Sequence, residues 1–274
     1  MKTNLLSLDI YIIIFLIIVI AISGCKAPPE GMVEVPEGEF IMGSDETDKE
    51  EKSVEYGIIK PWFEDEHPAH KVFLKRFYID KHEVSNKEYK EFIDVTGWRL
   101  PSYWKDNRYP EGKDNHPVVY VNFFDASEYC KWEKKRLPSE AEWEKAARGI
   151  DNRRFPWGDE FDINKVNVGG LKGGTMPVDS YESGKSPFGI YNMIGNVWEW
   201  TSDWYNAYPD NRYKSKNFGK RFKVVKGTSW SGIGHYPDEI FDKIIAHNSR
   251  ITFRLFLDPK MGLNDIGFRC VRSE

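Results

Sequence analysis

The chain has 274 residues and a formal net charge of −4, a length that suits one large domain or two small ones. Its mild charge and lack of any basic tract exclude a protein that holds nucleic acid by charge. Ten Trp, fourteen Tyr and seventeen Phe stand beside 15 Pro and 22 Gly, so the composition predicts an aromatic core with little regular secondary structure and many turns.

Lys2 is followed by an apolar run from Ile10 to Ile22 and then by Ser23-Gly24-Cys25. The run is about thirteen residues long, right for a signal h-region and short of the roughly twenty that a membrane span needs. Ile22-Ser23-Gly24-Cys25 resembles the bacterial lipobox. That resemblance implies removal of residues 1–24, acylation of Cys25 and a lipid-anchored, exported chain in the cell envelope. By the same resemblance, Lys26 in place of Asp after the cysteine implies the outer membrane. The alternative is an uncleaved anchor helix, and both readings tether the chain to a membrane. Residues 25–32 then read as the lipidated cysteine and a short Pro/Gly linker. Of three cysteines, Cys130 and Cys270 remain. In an exported protein they are either a disulfide or two buried thiols.

The globular domain is expected over 33–274. Val33 to Gly43 carries two strand-like runs broken at Pro36 and Gly38, and Lys71 to Asp80 is a further β-rich stretch. The acidic segment from Asp45 to Glu51 reads as a solvated loop. Ser85 with Glu88 forms a capping box ahead of Tyr89, Phe92 and Val95, and Gly97 ends that helix. A second helix is expected to start at Asp125, with Glu128 at the third position and Ala126, Tyr129 and Cys130 on its buried face. The third has Ser139 as cap, Glu142 completing its box and Gly149 as stop. Beyond Gly149 the sequence predicts no helix, only short strands such as Phe222 to Val225. The sum is an irregular, loop-rich α+β domain.

Seven segments occur in a fixed order: Pro36 to Gly43, Tyr78 to Asn86, Arg136-Leu-Pro-Ser-Glu-Ala-Glu-Trp-Glu144, Phe155-Pro-Trp-Gly158, Asn192-Met-Ile-Gly-Asn-Val-Trp-Glu-Trp200, Lys226-Gly-Thr-Ser-Trp230 and Gly267-Phe-Arg-Cys270. Together they resemble the sulfatase-modifying-factor family, the formylglycine-generating enzymes. The resemblance implies a variant of the C-type-lectin fold and a disulfide between Cys130 and Cys270. It also implies an oxidase that converts the cysteine of a Cys-x-Pro-x-Arg stretch to formylglycine, using oxygen and copper held by two cysteines.

Cu(I) prefers soft thiolates, and here the chain departs from the family. Gly227-Thr-Ser-Trp230 is followed by Ser231-Gly232, so Gly232 stands where the first copper cysteine is expected, and no cysteine lies between Cys130 and Cys270. The family resemblance leaves a pocket remnant: Ser229 matches its active-site serine, and Arg250 or Arg254 an arginine of the site. Copper is therefore not expected.

Among other metals, the His67/His70 pair lacks a third ligand at a recognisable spacing, so ordinary surface histidines are the expectation. His235 and His247, with Asp238 or Glu239, form a further imidazole–carboxylate combination, weighed against plain loop residues. Calcium wants hard oxygen ligands, and by resemblance Asn192, Gly195, Val197 and Glu199 match a structural calcium site. The alternative is a turn in which Glu199 is salt-bridged. A second family site is matched only at Asn167 and Val168, the segment after Gly169 being short.

Three functions follow. The first is a non-catalytic binding or scaffold lipoprotein with an envelope protein partner; related domains occur in gliding-motility and secretion-associated lipoproteins. The second is an oxidoreductase of the formylglycine-generating type. The third is a glycan-binding module using aromatics such as Trp98, Tyr103, Trp104 and Tyr109.

Overall fold

A computed structural model describes residues 27–58, 60–233 and 236–274. The leader, the lipidation expected at Cys25 and His235 lie outside the described residues. Residues 31–274 form one compact unit.

Pro36 divides the first β segment into β1 (Met32–Val35) and β2 (Gly38–Met42), followed by a one-turn helix α1 (Lys52–Glu55). The acidic segment is a loop, as expected, and leads into that turn; Asp48 accepts hydrogen bonds from the amides of Lys52 and Ser53. Next come β3 (His70–Leu74) and β4 (Phe77–Asp80). β2 pairs only with β3, whereas β1 pairs with β4, and β4 also takes the last strand, β9 (Val271–Ser273).

Helix α2 (Asn86–Thr96) has both hydrogen bonds of its capping box, between Ser85 and Glu88, and ends at Gly97 with φ 69°. Helix α3 (Phe123–Trp132) begins earlier than the sequence reading placed it. Its cap is Asn122, whose side chain accepts from the amides of Phe124 and Asp125, so Asp125 is the third helical residue and closes the box. Two acidic residues three apart, Asp125 and Glu128, mimicked the usual signal one turn too late. Helix α4 (Glu140–Arg148) follows the Ser139/Glu142 box and stops at Gly149, as expected.

The central sheet has the order β7-β6-β5-β8, from β5 (Trp198–Trp204), β6 (Lys223–Lys226), β7 (Leu255–Leu257) and β8 (Ile266–Gly267). Between β6 and β7 lies a helix that the sequence reading missed, α5 (Asp238–Asn248). It starts at Pro237 with no side-chain cap. Its buried side chains at Ile244, Ile245 and His247 are nonetheless at helical spacing, which was the available signal.

One core gathers α2, α3, Trp200 and Phe268 around the disulfide, and a second centres on Trp143, Ile79 and Val271. Cys130 and Cys270 are bonded, with Cα atoms 5.6 Å apart and a sequence separation of 140. In the chain-entropy model a loop of that length is worth roughly 4–5 kcal/mol. The aromatics offered for sugar stacking belong to this first core. Trp104 is buried, the Trp98 indole donates to Asp125 and the Tyr103 hydroxyl to Asn86.

Candidate functional site

The remnant pocket is built where β6 ends. Gly227 turns the chain with φ 98°, and a Cβ there would meet Met193 O at 3.0 Å and the Trp143 ring at 3.1 Å, so the turn needs glycine. Ser229 comes next but one, buried, and its hydroxyl donates to Asp265 Oδ2 at 2.8 Å. Burial pushes the Asp265 carboxyl up, and the Ser229 hydroxyl bond opposes it. Gly232 is exposed, and the nearest atom to an added Cβ is Gly169 O at 3.8 Å. Nothing in the backbone bars a cysteine there.

Neither arginine joins Ser229. Arg254 is buried; its Nε and Nη2 donate to the two oxygens of Glu140 at 2.7 and 2.9 Å, and Nη1 to Asp65 O at 2.7 Å. The guanidinium also lies over the Tyr208 ring at 4.2 Å. Arg250 donates to both oxygens of Glu66, at 2.8 and 2.9 Å, and to Nε2 of His247. A guanidinium has no acceptor, so Nε2 is the unprotonated nitrogen and Nδ1 carries the hydrogen. Burial, then the charge of Arg250, pushes His247 well below its ordinary range, so it is neutral. Glu66 is completely buried, which alone would raise its carboxyl, but Arg250 and then Lys60 hold it down at about 2.

Within the described residues His247 does not come together with Asp238 or Glu239. Asp238 opens α5 and His247 is nine positions later, 247 − 238, which at 1.5 Å per residue separates them by about 13 Å along the axis. His67 Nδ1 faces Asp45 at 3.5 Å, and His70 Nδ1 lies 2.9 Å from Pro68 O.

The proposed calcium turn is a run of left-handed residues, Asn192 (φ 49°), Gly195 (φ 84°) and Asn196 (φ 66°). A Cβ on Gly195 would lie 2.5 Å from the Val166 side chain. Asn192 Nδ2 donates to Glu83 Oε2 and to Val178 O, both at 3.0 Å. Glu199 accepts from Arg269 on both oxygens at 2.7 Å and from the Trp143 indole at 2.9 Å. Hard oxygen donors are thus present and suit calcium in type, each carboxylate oxygen having two lone pairs. The charge of Glu199, however, is already matched by Arg269. Among the described residues no three His, Cys, Asp or Glu side chains gather as a metal cluster.

At the second position, Asn167 donates through Nδ2 to Gly174 O and Asn196 Oδ1, while its own Oδ1 is buried with no hydrogen-bond partner in the described structure. A cavity of about 200 Å³ lies beside it, lined in part by Val168, Leu171 and Lys172. An orphaned buried acceptor is what a cation at this place would use.

Sequence reasoning missed Glu83, which lies inside a quoted motif. It is buried, bonds Asn192 and Asn196, and is pushed up to about 7 by burial, against the pull of Arg269.

The chain belongs to the family of the sulfatase-modifying factor enzyme 1-like domain, which matches residues 21–274. It is similar to the formylglycine-generating enzyme of Bos taurus, 31% identical over 308 residues, covering 90% of this chain and 76% of that protein. It is also similar to the inactive C-alpha-formylglycine-generating enzyme 2 of Bos taurus, 30% identical over 292 residues and 87% of each chain. Among solved structures, PvdO from Pseudomonas aeruginosa superposes with a TM-score of 0.68 and 27% identity, over 91% of this chain and all (100%) of that one. These likenesses agree with the family and the fold class expected from the seven motifs.

Proposed function

We propose that the chain is a cell-envelope lipoprotein, anchored through Cys25, whose sulfatase-modifying-factor domain is a non-catalytic binding or scaffold module. The observation that carries this is the donor set. Gly232 stands at the first thiolate position, and the two cysteines of the domain are bonded to each other in its core. The surrounding polar groups are engaged too, Ser229 with Asp265 and Arg254 with Glu140. A relative of similar length named as an inactive formylglycine-generating enzyme supports a family domain that persists without that chemistry. Calcium, held by Asn192, Gly195, Val197 and Glu199, is the structural ion we assign to it. Mild cross-linking of the anchored protein followed by affinity purification tests the reading. It expects one envelope protein recovered reproducibly; repeated recovery of none opposes it.

A further inference from the structure

Away from the Ser229 turn, a cleft of about 580 Å³ opens between the segment around α1, the 154–161 loop and α5, a size within the roughly 300–1,000 Å³ of ligand pockets. Its floor is apolar and rigid: Trp62 stacks on His247 with ring centroids 4.0 Å apart, and Phe63 stands edge-on to the same imidazole. His247 is fixed from behind by Arg250.

The walls carry charges of opposite sign. Lys49 and Lys243 line the α1 side and α5, and Asp159 and Glu160 line the 154–161 loop. All four are exposed, and none has an ion-pair partner within 4.0 Å among the described residues. Other charges of the cleft are already matched, Arg154 by Glu46, Lys52 by Glu55 and Glu50, and Asp48 by the amides of Lys52 and Ser53. On the floor, the Trp62 indole N–H is buried with no acceptor among the described residues, and Trp62 itself is 9% exposed.

Unmatched cations on one side, unmatched acids on another and an unmatched donor in the floor disfavour a ligand of a single sign. They complement a molecule with an ammonium at one end, a carboxylate at the other and a carbonyl between, over an apolar middle. We propose that this cleft binds a short peptide with free termini, its ammonium at Asp159 and Glu160, its carboxylate at Lys243 and Lys49, and a peptide carbonyl accepting from Trp62. The proposal deepens the binding role given above by naming a ligand class. It stands apart from the cross-linking result, which reports on a protein partner and not on this cleft.

Isothermal titration of the full chain in detergent micelles with the tripeptide Ala-Phe-Ala tests it, alongside the same peptide acetylated and amidated. The expected result is saturable binding of the free peptide, weakened about tenfold or more by blocking its termini and by Lys243→Ala or Glu160→Ala. Both side chains are exposed, so these variants keep the fold, and far-UV circular dichroism verifies that. Trp62→Phe, which keeps the ring and removes the donor, is expected to weaken binding several-fold, by about the worth of one hydrogen bond. Absence of binding at millimolar peptide overturns the proposal. So does equal binding of the blocked peptide, or affinity unchanged by both surface variants.

Discussion

Arg254 meets Glu140 fork to fork, 2.7 and 2.9 Å apart, with both side chains buried and a sequence separation of 114. The pair ties α4 to the start of β7. Tyr208 donates to the same carboxylate, and Lys226 stands 3.8 Å away. Removing one partner leaves an unmatched buried charge, which typically costs about 3–5 kcal/mol. Arg254→Met is therefore expected to lower unfolding free energy by that order in urea titration. Arg254→Lys recovers little of it, because a single ammonium cannot reproduce the two-pronged contact.

Acid sensitivity follows from Glu66. Its carboxyl is held at about 2 in the folded chain against an ordinary value of 4.5. A carboxylate depressed on folding contributes stability that is complete above the unfolded pKa and is lost as pH falls through the folded one. The window is thus from about pH 4.5 down to about 2. Urea midpoints measured across it fall steeply in the wild type. Glu66→Gln is less stable at neutral pH and shows a shallower fall over the same window.

The open space at Gly232 makes a separate point. No atom approaches an added Cβ more closely than 3.8 Å, so Gly232→Cys is expected to change stability by no more than about 0.5 kcal/mol, as surface substitutions do. Thermal unfolding of the variant checks that. Copper(I) titration of it is expected to show no tight site, since one thiolate does not replace a pair.

If calcium occupies the turn at Asn192 to Glu199, chelation has a defined signature. A ligand bound only to the folded state raises apparent stability by mass action. Adding EGTA to the wild type should lower Tm, and Asn192→Ala should abolish the difference. An identical Tm with calcium or EGTA in the wild type removes calcium from the account.

The sequence made the local features legible and left the distant ones hidden. Helices α2 and α4 were readable because Ser85/Glu88 and Ser139/Glu142 are three-residue signals complete in themselves. The start of α3 was misplaced because an asparagine cap, Asn122, preceded two equally spaced acids. Helix α5 was overlooked for want of a capping side chain. The pairs Arg254–Glu140 and Arg250–Glu66 join residues 114 and 184 apart. Periodicity carries no trace of such contacts, so the burial of both arginines in core ion pairs was not legible. The expected departure from the family at Gly232 rests on the sequence alone.

The most direct measurement supplies the full chain in detergent with copper, oxygen and a Cys-x-Pro-x-Arg peptide and follows the peptide by mass spectrometry. The account predicts unmodified cysteine after many hours and no copper retained through gel filtration. Peptide aldehyde formed with repeated turnover, on protein carrying one copper per chain, would contradict it.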